Sequence, residues 1–359
     1  IMKIFIDINH PSHFHFFKKF ILEGMEKGYE FKITVAEKDC LLSLFHAYCI
    51  PFINKGSRAS SFLGKTIKFF KEVGLLYRLA RKFKPDLFIS FASPYAALSG
   101  YMLNKPVITF DDTEADPILH RIFPRFSDYI ITSESYEKNF GANHLRFNGY
   151  KETEYLKNIH TKVSGATAEI RIDKPLILLR FVKHSATHEF GQNGFSLEDK
   201  LQIIEHLSPY GNIKISSEEK LPAELEPFRI NCGPEEIHKV MSRGTLFFGE
   251  SATMAAESAV MGVHSVLVEE KGRGYIRDLE KKYGLLKHFK PDQKEEAIQY
   301  AIDLLKDNNR EGPDLIQHHK IIQHSTNVTA FLHWMTDHFP ASLQQMEVDP
   351  TVVKKLGTL

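Results

Sequence analysis

Three histidines, His10, His13 and His15, crowd the segment DINHPSHFHFF just after the first apolar run of the chain. An imidazole exchanges its proton near neutral pH, so each is a candidate general base or substrate ligand. One histidine at such a turn is ordinarily structural; three beside a turn fixed by Pro11 favour a functional role. Apart from Asp7, no carboxylate or thiol completes a ligand set there, and no metal is expected. Further on, TFDDTEADP gathers Asp111, Asp112, Glu114 and Asp116. Carboxylates this close either bind a ligand or solvate as the acidic first turn of a helix. Their place at a strand end favours the ligand. Between these segments, ISFASPYAALSG sets Ser93 among small residues. Such residues let a ligand approach helix-end amides, or let a helix lie close on a sheet, and the two readings are equally good.

The second half of the chain carries candidates of the opposite charge. Arg180, Lys183, His184 and His188 follow the apolar LILL and precede Gly191 and Gly194. Cations with glycines that admit close backbone approach suit a pyrophosphate. More specific is LFFGESATMAAESAVMGVHSVLV, where an apolar run ends in Gly-Glu-Ser and a small-residue helix starts at once. Ser251 and Thr253 beside the first-turn amides make an anion site, and Glu257 can accept two hydrogen bonds from a ribose diol. A solvent-facing glutamate is the bland alternative, and Ala255, Ala256, Ala259 and Val260 around it weigh against that.

The hydropathy pattern says what must hold these groups. Apolar runs at 3–8, 30–36, 87–91, 107–110 and 129–132 alternate with helical patterns at 14–27, 39–48, 64–83 and 95–103. Strands apolar throughout and separated by helices indicate parallel βαβ units covered on both faces. After a polar stretch the rhythm resumes, with strands expected at 175–181, 212–216, 245–248 and 265–268. Helices are expected at 197–207, 235–241, 252–261 and 276–283, then at 294–305, 313–322 and 327–339. The tail after Pro340 lacks periodicity and is expected to be peripheral. A chain of 359 residues predicts two domains. We place a first Rossmann-like domain at 1–150, a connection at 151–174 and a second Rossmann-like domain at 175–325. A terminal helix and tail, 326–359, would pack back on the first. Doubly wound sheets bind ligands at the carboxyl ends of their strands, where these candidate loops lie.

Composition excludes several classes of function. With 46 basic and 45 acidic residues there is no basic excess to hold nucleic acid. Cys40, Cys49 and Cys232 form no C-x-x-C pair, which argues against a zinc site or a disulfide framework and fits a reducing cytoplasm. KIFIDI at the start lacks the features of a secretory signal, and the apolar runs are strand-sized. A cytoplasmic protein is expected. SFLGKTIKFFKEVGLLYRLARKFK interleaves Lys65, Lys68, Lys71, Arg78, Arg81 and Lys82 with large apolar residues. A helix of this kind can make peripheral contact with the inner face of a membrane. The favoured reading is that it packs its apolar side on the sheet and solvates its charges.

The strand–loop–helix with Glu257 and Gly262 resembles the nucleotide-sugar motif of the GT-B superfamily, which includes many glycosyltransferases and the non-hydrolysing UDP-N-acetylglucosamine 2-epimerases. The resemblance implies that Glu257 binds a ribose and that Ser251 and Thr253 bind phosphate. HPSHFHFFKKFILEGMEKGYEFKIT looks like the opening of inverting GT-B transferases, which puts His13 at the base and Gly28 at the glycine that ends the helix. NKPVITFDDTEADPILHRIFPRFSDYIITSES looks like the epimerase segment with an H-V-E-A-G-L-R motif, which puts Glu114 on a catalytic carboxylate. Across residues 2–339, D-I-N-H-P-x-H-x-H-F-F and F-D-D-T-E resemble a prokaryotic domain-of-unknown-function family of that superfamily. Three epimerase features are absent: the carboxylate after the fourth strand, where Ala92-Ser93-Pro94 stands, the G-T-R-P-E loop and the H-R-R-E-N loop.

The fold so implied is α/β and GT-B-like, two Rossmann-like doubly wound domains with mainly parallel sheets facing across a cleft. The first domain would hold acceptor and catalytic groups, and the second the nucleotide sugar. The expected activity is glycosyl transfer from a nucleotide-diphosphate sugar, such as a UDP-sugar, to a carbohydrate or lipid-linked acceptor in surface polysaccharide or glycolipid assembly. No cofactor is needed. His13 would act as base, aided by Glu114, with Arg180, Lys183, His188, Ser251, Thr253 and Glu257 on the donor. His10, His15, Ser93, Asp111 and Asp112 complete the cleft candidates. A 2-epimerase and a non-catalytic nucleotide-sugar-binding protein are the alternatives.

Overall fold

Residues 1–57, 62–114, 118–159, 174–181, 194–217 and 220–356 are described by a computed structural model of the chain. They divide into two units, Ile1–Tyr155 with His324–Leu359, and Leu156–Gln323. Unit 1 begins β1 (Lys3–Ile8), α1 (Pro11–Glu26), β2 (Glu30–Glu37), α2 (Leu41–Ala47), β3 (Ile53–Ser57) and α3 (Phe62–Phe83). It continues through β4 (Leu87–Phe91), α4 (Pro94–Met102), β5 (Val107–Asp111), α5 (Leu119–Ile122), β6 (Tyr129–Ser133), β7 (His144–Phe147) and α6 (Lys151–Leu156). Its seven strands pair in the order β3-β2-β1-β4-β5-β6-β7, every pair parallel.

Both faces of this sheet are buried, and β1 shows how. Ile4, Ile6 and Ile8 enter one core with Phe14, Phe16, Phe17 and Phe20 of α1. Phe5, pointing the other way, joins Phe88, Leu76 and Ala80 beneath α3 and α4. Each of these phenylalanines is fully buried, and burying one contributes roughly 1.5–3 kcal/mol.

Unit 2 comprises β8 (Leu176–Arg180), α7 (Leu197–Leu207), β9 (Asn212–Ser216), α8 (Ile237–Met241), β10 (Leu246–Gly249) and α9 (Ala252–Val260). β11 (His264–Val268), α10 (Gly274–Tyr283), β12 (Leu286–Phe289), α11 (Lys294–Lys306) and α12 (Glu311–His324) follow. Its parallel sheet runs β12-β11-β10-β8-β9. The strand order reverses between β1 and β4 in unit 1 and between β8 and β10 in unit 2. These are the topological switch points, where a doubly wound sheet opens a crevice at its carboxyl edge.

Three strands were not expected from the sequence: β3, β7 and β12. All three lie at sheet edges. An edge strand is half-exposed, so INKGS, HLRF and LKHF carry most of their polar residues at exposed or half-exposed positions, whereas central strands such as β4 and β5 are buried on every residue. The connection expected from residue 151 starts later. α6 folds with unit 1 up to Tyr155, and Lys151, Glu152, Thr153 and Glu154 are buried despite their polarity. Residues 160–173 of that connection lie outside the described residues. Nor is the tail peripheral. After α13 (Val328–Asp337), helices α14 (Ala341–Val348) and α15 (Val352–Leu356) send Met346, Val352 and Val353 into the core of unit 1. Among the described residues no helix is long and apolar enough to cross a membrane.

Candidate functional site

In unit 1 the switch point is built around Asp7, the penultimate residue of β1, with no exposed surface. Its carboxylate accepts from Lys55 at 2.6 Å, Thr34 at 2.6 Å, Ser93 at 2.6 Å and Asn9 at 2.8 Å. Burial pushes its pKa up, but the Lys55 charge and the hydrogen bonds from Lys55, Ser93 and Thr34 outweigh it and hold the carboxyl below its usual range. Lys55 is equally buried and reaches Glu72 at 3.3 Å. Ser93 is therefore engaged twice. Its hydroxyl donates to Asp7 and, as the N-cap of α4, accepts from Ala96 N at 3.2 Å. The residue before it, Ala92, sits at φ 40°, a left-handed conformation costly for a side chain with a Cβ.

The histidines separate by role. His10 is the N-cap of α1, and its Nδ1 accepts from Ser12 N at 3.2 Å. Burial, then Lys38, His13 and Lys151, hold its pKa well below the ordinary imidazole value. With Nδ1 accepting, the neutral ring carries its hydrogen on Nε2, which makes His10 a donor rather than a base. His13, in the first turn of α1, is half-buried and stacks on Phe91 at 4.3 Å, with the His10 ring 5.5 Å away. His15 is buried, its ring 5.4 Å from that of Tyr155.

The carboxylates of the β5 loop separate too. Asp111 is buried; its Oδ1 accepts from Asp112 N at 2.9 Å and its Oδ2 lies 2.8 Å from His120 Nε2. Tyr136 OH also donates to Oδ2. Burial raises the Asp111 pKa, the His120 hydrogen bond opposes this, and the Asp112 charge adds to the rise. Lys138 Nζ, which can only donate, lies 2.7 Å from His120 Nδ1, so the ring hydrogen points from Nε2 toward Asp111. Asp112 pairs with Lys151, whose side chain is almost fully buried. Glu114 is spent on the loop after β6: its Oε1 accepts from Glu137 N at 2.9 Å and its carbonyl accepts from Lys138 at 3.1 Å. Asp116 lies outside the described residues.

Lys55, His120, Tyr136, Lys138 and Lys151 escaped the sequence reading. Tyr136 and Lys138 follow β6, so the rule that pointed to the other carboxyl-end loops would have found them.

Unit 2 builds its switch point differently. Arg180 ends β8 and donates sideways to Ser216 O at 3.2 Å at the end of β9. Gly249 ends β10 directly against the Arg180 carbonyl, where a Cβ would collide with backbone. Glu250 ties the turn down by accepting from Phe195 N at 2.7 Å. Ser251 is the N-cap of α9 and accepts from Met254 N at 3.4 Å. Helix geometry leaves the N–H groups of Ala252 and Thr253 without intrahelical acceptors, at the positive end of the helix dipole. Glu257 does not face solvent: it is buried, with Oε1 3.1 Å from Nε2 of the buried His238. Gly262, at φ 79°, turns the chain from α9 toward β11. Lys183, His184, His188 and Gly191 lie outside the described residues. Among the described residues no group of histidine, cysteine, aspartate and glutamate is arranged to hold a metal ion.

The two α/β units with parallel sheets have the GT-B fold of proteins already solved. The S. aureus protein MnaA, whose structure is with UDP, is 11% identical at a TM-score of 0.69, over 94% of this chain and 97% of that one. UDP-GlcNAc 2-epimerase from Neisseria meningitidis, bound to UDP-GlcNAc, is 14% identical at a TM-score of 0.62, over 96% of this chain and 100% of that one. The spinosyn rhamnosyltransferase SpnG complexed with thymidine diphosphate is 10% identical at a TM-score of 0.63, over 93% of this chain and 100% of that one. No curated protein matches the chain in sequence. A family match extends over residues 2–319, and the chain belongs to that family, described as "Protein of unknown function (DUF354)".

Proposed function

We propose that the protein is a glycosyltransferase that takes its sugar from a nucleotide-diphosphate donor, in surface polysaccharide or glycolipid assembly. The β10–α9 turn carries the reading: a strand ending in glycine at a switch point, a serine-capped helix and a buried carboxylate about one and a half turns along it. In this reading Ser251, Thr253 and the first-turn amides hold the diphosphate, with Arg180, Lys183 and His188 adding positive charge. Glu257 accepts from the ribose diol. Helix dipole and cations stabilise the charge that develops on the departing nucleoside diphosphate. In unit 1, His13 takes the proton of the acceptor hydroxyl. The new C1–O bond forms as the C1–O bond to the diphosphate breaks, with inversion at C1. Proteins of this fold solved with UDP, UDP-GlcNAc and thymidine diphosphate support a donor of this class.

A second reading, epimerisation of a nucleotide sugar, is favoured by Asp111. It is a buried carboxyl at the end of β5, burial shifts it toward the protonated form, and His120 and Tyr136 hydrogen-bond it. Incubation with UDP- and dTDP-sugars, without acceptor, separates the readings. Slow release of the nucleoside diphosphate supports the transferase, and a new epimeric sugar supports the second reading. Binding without turnover leaves a nucleotide-sugar-binding protein, and absence of binding removes all three.

A further inference from the structure

α3 is the longest helix among the described residues, and its solvent face has an unusual composition. Its one acid, Glu72, is buried and paired with Lys55 at 3.3 Å and Lys68 at 3.2 Å. Leu76 and Ala80 pack inward with Phe5 and Phe88. Ile67, Phe70, Lys71, Arg78, Arg81 and Lys82, all exposed, fall on the opposite side, within a stripe about 120° wide at 3.6 residues per turn. Packing on the sheet accounts for the inner face alone. It leaves Ile67 48% and Phe70 67% exposed among four cations and no acid. α4 lies beside α3, joined by Ser99 Oγ donating to Val73 O at 3.3 Å, and it too exposes Tyr101 and Met102.

We propose that this face of α3 docks on an anionic lipid bilayer. Phe70 and Ile67 enter the boundary between headgroups and acyl chains, and Lys71, Arg78, Arg81 and Lys82 meet the headgroup phosphates. Charge complementarity argues for the anionic surface, and the extent of the stripe argues for a flat one. The helix is about 33 Å long, with apolar tips toward one end and cations along the rest. A nucleic acid would use the cations and leave Ile67 in water. The proposal does not rest on the catalytic reading, because no residue of the stripe belongs to either switch point.

Co-sedimentation of the full chain with phosphatidylcholine vesicles containing about 30% phosphatidylserine tests it. Binding is expected at low ionic strength, weaker at physiological ionic strength, and absent on pure phosphatidylcholine. Replacing Lys71, Arg78 and Arg81 together by alanine is expected to lower the partition coefficient roughly 100-fold, at about fivefold per cation. Ile67→Ser with Phe70→Ser is expected to lower it roughly tenfold while keeping the salt dependence. All five positions are exposed, and circular dichroism confirms that the variants fold. Absence of pelleting, equal pelleting on neutral vesicles, or variants that pellet like the parent would overturn the proposal. So would binding to a single-stranded oligonucleotide without binding to vesicles, which would assign the face to a soluble polyanion. Nucleotide affinity measured on the same variants is expected to stay unchanged, so the two proposals fail separately.

Discussion

At the switch point of unit 1 the central strand β1 presents a carboxylate, Asp7; at that of unit 2 the corresponding strand β8 ends in a guanidinium, Arg180. Each is flanked by a strand leading into a serine-capped helix, Ser93 before α4 and Ser251 before α9. The same architecture is used in opposite ways. Unit 1 fills its crevice from within: Lys55, Thr34, Ser93 and Asn9 all turn to Asp7, and the first-turn cap is part of that network. In unit 2 the Ser251 cap hydroxyl accepts from Met254 N at 3.4 Å, and Arg180 leans toward β9. A filled crevice positions neighbouring loops rigidly, which suits the base proposed at His13. A serine-capped helix N-terminus beside a cation suits an anionic ligand. The fold therefore supplies two equivalent positions, and their side chains decide what each one does.

The largest effect that would sharpen this division concerns the base. His13→Ala is expected to lower turnover by roughly 10²–10⁴-fold with donor affinity little changed, measured as kcat and nucleotide Kd on the same preparation. His15→Ala, at a buried ring, is expected to cost far less activity. Near-normal turnover of His13→Ala, together with loss in Asp111→Asn or Glu114→Gln, would move the chemistry to the β5 loop and favour epimerisation.

Next in size is the internal network of unit 1. Lys55→Met leaves Asp7 buried without its counter-charge, which is expected to cost about 3–5 kcal/mol in chemical denaturation. Nucleotide binding by unit 2 should persist under conditions where the variant remains folded. A cost near zero would mean that Asp7 relaxes or takes up a proton, and the filled crevice would lose its argument.

A smaller effect is expected in unit 2. Glu257→Ala is expected to weaken nucleotide affinity by about 1–3 kcal/mol, the range for a hydrogen bond to a charged group, read by calorimetry. The variant should still fold, because α9 is otherwise held by alanines and Val260. Unchanged affinity would reduce Glu257 to a packing partner of His238.

How far the sequence revealed these sites follows from where their residues lie. Central strands such as β4 and β11 are buried on every residue and mostly apolar, and could be placed almost to their ends. Edge strands β3, β7 and β12 could not, because exposure lets polar residues alternate into them. Candidates contiguous in the chain, His10 to His15 or Gly249 to Glu257, could be read as groups. Groups assembled across strands could not. Asp7 meets Lys55 and Ser93 from β3 and the β4–α4 turn, and Asp111 meets His120 and Tyr136 from separate segments. No spacing rule connects such residues before the sheet order is known. Buried charge misled in the same way: the polarity of Lys151 and Glu152 reads as linker, whereas their ion pairs let them lie inside unit 1.

The smallest of these effects, at Ser251, tests the equivalence of the two serine caps directly. Ser251→Ala removes an N-cap acceptor and is expected to cost about 1 kcal/mol of stability, with Ser251→Gly within a few tenths of the parent. Ser93→Ala is expected to cost more, because it also strips a donor from the buried Asp7 carboxylate; a hydrogen bond to a charged group adds about 1.5–3 kcal/mol. For ligand binding the order reverses. Ser251→Ala is expected to weaken nucleoside diphosphate affinity severalfold, since the hydroxyl stands at the helix end proposed to hold phosphate, whereas Ser93→Ala should leave affinity unchanged. Thermal denaturation and calorimetry on both variants give four measurements. If the two serines lose stability equally and neither changes affinity, the caps are interchangeable and the opposed roles of the two switch points do not hold.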